Sequence, residues 1–212
     1  MSTVQPAGPS RVDRPVPAVT AALVMVIALG VLWLSELVDQ LSGNQLDYYG
    51  IHARELDGLP EIYTAPLLHG GWEHLMANSG PFFVLGLLVL LGGALRWVVT
   101  TLISVTVSGL AAWVLTPIGT IVLGASGLIF GWLTYLLVRG ILTRRPAQVI
   151  MGIAVLVVYG GMIWGVLPGA AGISWQAHLG GAAGGILAAW LLHRRRSSPA
   201  PTPGRPGYVG GR

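Results

Sequence analysis

Apolar residues follow one another in six long runs, separated by shorter polar stretches. A helix needs about 20 mostly apolar residues to cross a hydrocarbon core of about 30 Å. Runs of this kind predict membrane-spanning helices at about residues 18–38, 74–95, 97–116, 126–138, 149–167 and 177–192. The fourth run is short, which indicates that the preceding loop 117–125 dips into the protein. The pattern predicts an all-α polytopic membrane protein, a six-helix bundle with a long outer loop between helices 1 and 2.

Composition supports a membrane protein. Of the 212 residues 53% are hydrophobic and only 9% are charged, whereas soluble domains carry about 25% charged residues. The 31 glycines are typical of helices that pack closely in lipid. The absence of cysteine excludes disulfides, thiolate metal sites and cysteine nucleophiles.

The two ends of the chain differ from its apolar centre. Residues 1–16 and 197–212 are predicted to be disordered cytoplasmic extensions of a membrane domain at 17–196. The first apolar run could instead be a cleaved signal peptide. It is longer than the usual 7–15 residues of such a core, and no Ala-x-Ala site follows it, so a retained helix is predicted.

Charge sets the predicted orientation. Arginines flank the runs on one side, at Arg11, Arg14, Arg96, Arg139, Arg144, Arg145, Arg194, Arg195 and Arg196. The other side receives the acids Asp39, Asp47, Glu55, Asp57, Glu61 and Glu73. The positive-inside rule then places both termini in the cytoplasm, in a bacterial plasma membrane. The arginines are explained by topology, so the lipid bilayer is the expected partner and a nucleic acid is not.

The loop at 40–68 is long, acidic and rich in tyrosine. Long loops in compact proteins are usually functional or disordered. Aromatic side chains are enriched where a membrane meets water, so a folded element at the membrane interface is predicted here.

Two polar residues lie four apart at the start of the second run. On a helix, His74 and Asn78 share one face, and polar groups inside a bilayer suggest function. Both could donate hydrogen bonds to a developing oxyanion. They could equally tie helix 2 to a neighbour, and the pair alone does not decide.

A serine and a histidine begin two later runs, and no Asp or Glu follows Glu73. Ser126 follows Gly124, and His178 starts the sixth run. Together they could form a nucleophile and its general base without an acid. Taken singly, Ser126-Gly127 could be a helix-packing element and His178 a structural histidine. The predicted topology places Ser126, His178 and the oxyanion candidates at similar depth near the outer side.

From about Tyr63 to Leu192 the sequence resembles the rhomboid family of intramembrane serine proteases. The resemblance rests on three motifs in the family's order: His69, His74 and Asn78; then Gly124, Ser126 and Gly127; then His178, Gly180 and Gly181.

The resemblance implies that Ser126 is the nucleophile and His178 the general base. It implies an oxyanion hole formed by His74, Asn78 and the Ser126 backbone N–H. His69 would support the loop and the water-filled site. The small residues Gly181 and Gly185 would pack helix 6 against Gly127 and Gly131 of helix 4. Substrates would be single-pass transmembrane proteins cut near the outer face, with no cofactor.

Two positions depart from the family's pattern. Phe130 stands where many members have a tyrosine stacked on the base histidine, so the ring remains but its hydroxyl is lost. Pro60-Glu61 replaces a Trp-Arg pair in the outer loop. Because both Ser126 and His178 are present, the expected protein is an active enzyme.

Other classes fit less well. An intramembrane zinc protease needs His-Glu-x-x-His, and the chain offers only Glu73-His74. A metal on His69, His74 and His178 is the remaining metal hypothesis, and none is predicted. A catalytically inactive scaffold of the same fold is the alternative function. A transporter is disfavoured because no ionisable group lies mid-membrane to couple ions.

Overall fold

The computed structural model describes residues 14–169 and 172–193. Its six α-helices are α1 Ala18–Ser42, α2 Trp72–Leu91, α3 Ala94–Leu115, α4 Ser126–Thr143, α5 Pro146–Tyr159 and α6 Trp175–His193. A 3-10 helix at Gly160–Val166 continues α5. Five described segments are long and apolar enough to cross a bilayer, namely α1 to α4 and the continuous Pro146–Val166. The all-α bundle agrees with the predicted fold.

Several predicted features lie outside the described residues. They include most of the N-terminal extension, the whole C-terminal tail and the arginines Arg11, Arg194, Arg195 and Arg196.

The break between α2 and α3 comes earlier than predicted. The prediction ended helix 2 at residue 95 and left Arg96 in a loop, but α2 ends at Leu91 and Arg96 lies buried in the first turn of α3. The reason is Gly93, whose φ of 137° is a backbone conformation that favours glycine. The Arg96 guanidinium donates a hydrogen bond to the Gly92 carbonyl of the turn.

Other helices also differ from the predicted bounds. The prediction stopped helix 1 at 38 and helix 4 at 138, where polar residues begin, yet α1 continues to Ser42 and α4 to Thr143. Polar residues such as Asp39 and Arg139 are compatible with helical backbone, so a helix can continue past the end of its apolar run. α1 stops only at Gly43, which adopts the left-handed conformation. α4 therefore has 18 residues and is not short.

α4 lies at the centre of the bundle, packed against α2, α3, α5 and α6, and α6 packs against both α3 and α4. α1 packs mainly on α2, and α5 mainly on α4. Accordingly the buried residues of α5 are only Gly152 and Val155, while α6 buries nine of its 19 residues. The predicted helix 5 ran to 167, but its α-helical part ends at Tyr159 because two glycines, which are poor helix formers, follow.

Glycines bring the backbones of α4 and α6 into contact. A Cβ at position 181 would overlap the Gly127 carbonyl oxygen, and one at position 185 would overlap that of Gly131. On the other side of α6, a Cβ at Gly180 would lie 2.7 Å from the Val107 carbonyl oxygen of α3. Helices approach this closely only where side chains are absent, so these glycines fix the distance between α4 and α6.

The outer loop between α1 and α2 is folded. It contains four short 3-10 helices, at Leu46–Tyr49, Leu56–Gly58, Pro60–Ile62 and Ala65–Leu67. Its strand β1, Ile51–His52, pairs antiparallel with β2, Ile121–Val122, in the loop before α4. The outer loop is thereby connected by backbone hydrogen bonds to the segment that leads into α4.

Glu61, which belongs to the outer-loop departure from the family's pattern, holds this sheet. Its Oε2 accepts a hydrogen bond from the His52 backbone N–H at 3.1 Å and lies 2.8 Å from His52 Nδ1. Tyr48 packs edge-on against the His52 ring at 4.8 Å. The acid therefore has a structural partner in this chain, at the strand that pairs with β2.

Replacing Gly185 by valine should destabilise the bundle. The added side chain would meet the α4 backbone, and overpacking typically costs 1–3 kcal/mol, so we expect a loss of about 3 kcal/mol. Denaturation in mixed micelles, followed by circular dichroism, would measure it. Gly30→Val in α1 is the matched control, because a Cβ at Gly30 would have no neighbour within 4 Å. Equal stability of the two variants would contradict the role of the α4–α6 contact.

Replacing Glu61 by alanine should loosen the β1–β2 sheet. A hydrogen bond to a charged group is worth about 1.5–3 kcal/mol, so the amides of β1 and β2 should exchange with solvent roughly tenfold faster or more. Hydrogen exchange read by mass spectrometry would measure this. The exposed Asp57 of the same loop provides the control Asp57→Ala, which should leave exchange unchanged. Unaltered exchange in Glu61→Ala would show that the sheet does not depend on this carboxylate.

Candidate active site

Ser126 is the first residue of α4. The chain reaches it from β2 through Gly124, whose φ is 119°, so a left-handed residue turns the extended strand into the helix. The first N–H groups of a helix have no partner within the helix. The Ser126 backbone N–H and hydroxyl therefore both lie at the helix end, where they can contact a bound molecule.

His178 lies in the first turn of α6, and the structure brings it to Ser126. The distance between His178 Nε2 and Ser126 Oγ is 2.8 Å, a hydrogen bond that joins residues 52 apart in sequence. His178 is 6% exposed. The close contact of α4 with α6 sets this distance. It joins Gly127, the residue after Ser126, to Gly181, which lies about one helical turn after His178.

A second hydrogen bond orients the His178 ring. Its Nδ1 lies 2.9 Å from the carbonyl oxygen of Gly165, in the 3-10 helix after α5. Because a carbonyl can only accept, Nδ1 carries the proton and Nε2 is left to accept from the Ser126 hydroxyl. Sequence reasoning missed Gly165, since a backbone carbonyl has no residue signature. The one signal in the sequence was that residue 165 is a glycine. The structure gives the reason, because a Cβ at this position would lie 3.1 Å from His178 Nδ1.

Phe130 covers one face of the His178 ring. Its ring stacks on the His178 imidazole with centroids 4.2 Å apart and an angle of 15° between the planes. Phe130 is one turn after Ser126 on α4, which is where the sequence placed a stacking ring. The stack and the Gly165 hydrogen bond together restrain the ring in two directions.

His74 and Asn78 lie on α2 and line the same cavity as Ser126 and His178. The cavity has a volume of about 190 Å³. Asn78 is 6% exposed, and among the described residues no acceptor pairs with its Nδ2. An unpaired buried donor is costly, and here it belongs to a residue that lines the same cavity as the serine.

The position of the His74 ring also requires a glycine at residue 124. A Cβ at position 124 would lie 2.6 Å from His74 Cε1 and 2.9 Å from its Nε2. Gly127 is confined in the same way, because a Cβ there would overlap the Ser108 hydroxyl. That hydroxyl donates to the Ala177 carbonyl at 2.8 Å, so it ties α3 to the start of α6. Both predicted supporting glycines thus lie at close contacts around the site.

His69 lies behind the serine, in the loop before α2. It is 1% exposed, and its Nε2 accepts the Ala125 backbone N–H at 3.4 Å. Its ring meets that of His74 edge to face at 5.1 Å. Burial, with a smaller contribution from neighbouring His74, lowers the pKa of His69 to about 4. The ring is therefore neutral at pH 7 and acts as a hydrogen-bond acceptor for the loop.

A larger cavity of about 540 Å³ adjoins the first. The two share His74 and Ser174, and the larger one also has the polar side chains Thr116, Thr120 and Gln176 in its lining. Within residues 14–169 and 172–193, no three His, Asp or Glu side chains are grouped to hold a metal ion. The arrangement offers acyl-transfer groups: a hydroxyl, a neutral base and donors around one space.

Comparison with known proteins places the chain in a family. The family model described as Rhomboid domain matches residues 57–195. An uncharacterized protein of Mycobacterium tuberculosis (strain ATCC 25618 / H37Rv) is 46% identical over 172 residues, covering 77% of this chain and 72% of the relative. An uncharacterized protein of Mycobacterium leprae (strain TN) is 44% identical over 172 residues, with 77% and 68% covered.

The match covers more than half of the chain, including α2 to α6 and all the candidate site residues. With its long apolar helices, the chain is a multi-pass membrane protein, and it belongs to the rhomboid family.

Proposed function

We propose that this protein is an intramembrane serine endopeptidase in which Ser126 is the nucleophile and His178 the general base. The observation that carries the proposal is the 2.8 Å hydrogen bond between Ser126 Oγ and His178 Nε2. A nucleophile in contact with an oriented base is the signature of covalent acyl transfer.

The first step is attack of Ser126 on the scissile carbonyl carbon. His178 accepts the serine proton at Nε2 as the new C–O bond forms. In triads a carboxylate holds the base in the right tautomer; here the Gly165 carbonyl accepts a hydrogen bond from Nδ1–H and does the same. The Phe130 stack keeps the ring in place while its charge changes.

The developing oxyanion would be stabilised from α2 and α4. His74 and Asn78 line the cavity that contains the serine, and the Ser126 backbone N–H lies at the free end of α4. One such donor is typically worth about 10²–10³ in kcat. The unpaired Asn78 amide fits this role, because the transition state would supply its missing acceptor.

Collapse of the tetrahedral intermediate breaks the C–N bond, and His178 returns the proton to the leaving amine. A water must then reach the acyl-enzyme. The adjoining cavity of about 540 Å³, with Thr116, Thr120 and Gln176 in its lining, is roomy and polar enough to hold water. His178 would take a proton from that water as the water oxygen bonds to the acyl carbon, and would return the proton to Ser126 Oγ as the C–O bond to the serine breaks.

The proposed substrates are single-pass transmembrane proteins, since the site lies at the ends of membrane helices. The charge pattern supports cytoplasmic termini and a site that opens toward the outer side of a bacterial plasma membrane, and both are part of the proposal. No cofactor enters the mechanism. A catalytically inactive scaffold is the rival, and labelling of Ser126 separates the two.

Replacing Ser126 or His178 by alanine should abolish cleavage of a model transmembrane substrate, with kcat lowered by about 10⁴-fold or more. The same variants should lose labelling by a fluorophosphonate probe, which reacts only with an activated serine. Ser42→Ala, at the end of α1, is the control and should behave as wild type. Full turnover in either variant, or absence of labelling in the wild-type protein, would exclude the dyad.

Replacing Gly165 by alanine tests the orientation of the base. The added Cβ would lie 3.0 Å from Phe130 Cζ and 3.1 Å from His178 Nδ1, so the carbonyl or the ring must shift. We expect kcat to fall by roughly 10–100-fold with KM unchanged, because a small misplacement of a catalytic group is costly.

Gly161→Ala is the matched control for this test. It lies in the same 3-10 helix, and its Cβ would have no neighbour within 4 Å. If both variants reduced kcat alike, or if KM alone rose in Gly165→Ala, the Gly165 carbonyl would not be the group that positions His178.

A further inference from the structure

An apolar crevice lies away from the serine, between the last turns of α4 and α5. It has a volume of about 310 Å³ and is lined by Leu137, Gly140, Ile141, Val149, Gly152, Ile153 and Leu156. Its lining is almost entirely apolar. Ile141 and Ile153 are 72% and 57% exposed, so the crevice is open to the surroundings of the bundle.

The crevice suits a flexible hydrocarbon chain better than a protein helix. A helix with its side chains is about 10–12 Å across, too wide for a crevice of this volume between two adjacent helices. α5 buries little of its surface against the bundle, so membrane lipid is what its exposed side chains meet. An acyl chain has the width and the polarity that the lining requires.

Two arginines stand at one end of the crevice. Arg144 ends α4 and its backbone N–H donates to the carbonyl of Gly140, a lining residue. Arg145 precedes α5, and its carbonyl accepts from the N–H of Val149, another lining residue. Both side chains are exposed. Two positive charges therefore lie one helical turn from the apolar lining.

No acid neutralises this pair in the described structure. The sequence has no Asp or Glu after Glu73, and within residues 14–169 and 172–193 neither arginine forms an ion pair. Arg96 and Arg139 of the same end differ, since both approach Gly92 of the α2–α3 turn. Basic groups beside a membrane-facing groove recognise anionic lipid headgroups.

We propose that the α4–α5 crevice binds one anionic phospholipid, with an acyl chain along the apolar lining and its phosphate at Arg144 and Arg145. The charges fit the headgroup, and the lining fits the chain. A lipid bound there would fill the space between α4 and α5 and so hold α5 against the helix that carries Ser126. The site is separate from the proposed protease centre and does not depend on it.

The test uses the full-length protein in a nonionic detergent, titrated with phosphatidylglycerol or phosphatidylcholine of the same acyl chains. Native mass spectrometry measures the fraction that retains one lipid. Phosphatidylglycerol should bind the wild type roughly thirtyfold more tightly, the factor expected for two arginines at a membrane surface. Arg144→Gln with Arg145→Gln should remove this preference, whereas Arg144→Lys with Arg145→Lys should retain most of it.

Ile153→Trp tests the apolar part of the site. The larger side chain should occupy the crevice and weaken binding of both lipids at least tenfold. Val158→Trp is its control: Val158 is 69% exposed on the same helix and does not line the crevice. Glycerol phosphate, which has the headgroup charge and no chains, should not compete.

Three results would overturn the proposal. They are phosphatidylglycerol affinity within twofold of wild type in the double glutamine variant, the same result in Ile153→Trp, or displacement of the lipid by glycerol phosphate. Circular dichroism would establish that each variant is folded. Protease activity is not the readout, so the outcome is independent of the proposed dyad.

Discussion

The contact between the backbones of α4 and α6 determines the geometry of the site. Gly181 faces Gly127, and Gly185 faces Gly131, at distances that leave no space for a Cβ. Since Ser126 and His178 each begin or nearly begin one of these helices, the separation of the two helix axes becomes the separation of a hydroxyl and an imidazole. Side chains in place of these glycines would move the two groups beyond hydrogen-bond reach. Lipid offers little hydrophobic driving force for helix association, so such packing must come from close van der Waals contact.

Two contacts orient the His178 ring without an acid. A buried carboxylate in this apolar setting would be costly to ionise. A backbone carbonyl has no charge to desolvate, and the Gly165 carbonyl lies where the Nδ1 proton needs an acceptor. The flat stack of Phe130 supplies the second restraint without a hydroxyl. The base is thus held by one neutral hydrogen bond and one ring contact.

The sequence was sufficient to predict that the helices exist and which side chains meet in one cavity, because both depend on residue type. Apolar runs mark spans, and the motif residues His74, Asn78, Ser126 and His178 proved to line one cavity. Helix ends were less predictable. Charged residues such as Arg139 were treated as boundaries, whereas the structure ends helices where glycine changes the backbone, as at Gly43 and Gly93.

Features made by the backbone alone could not be predicted. The Gly165 carbonyl and the β1–β2 pairing depend on tertiary placement, and neither requires a particular side chain. Glu61 is a side chain whose role was equally unpredictable. The sequence showed only that it departs from the family's pattern, and its partner His52 became evident from the fold.

The β1–β2 sheet has a mechanical consequence. Val122 pairs with Ile51, and only three residues separate Val122 from Ser126. Ser126 is therefore held at two levels, by the packed helices on one side and by the folded outer loop on the other. A force applied to the outer loop would pass through the paired strands to the segment that leads into Ser126. The exposed surface around Tyr48 is thus coupled mechanically to the cavity that Ser126 lines.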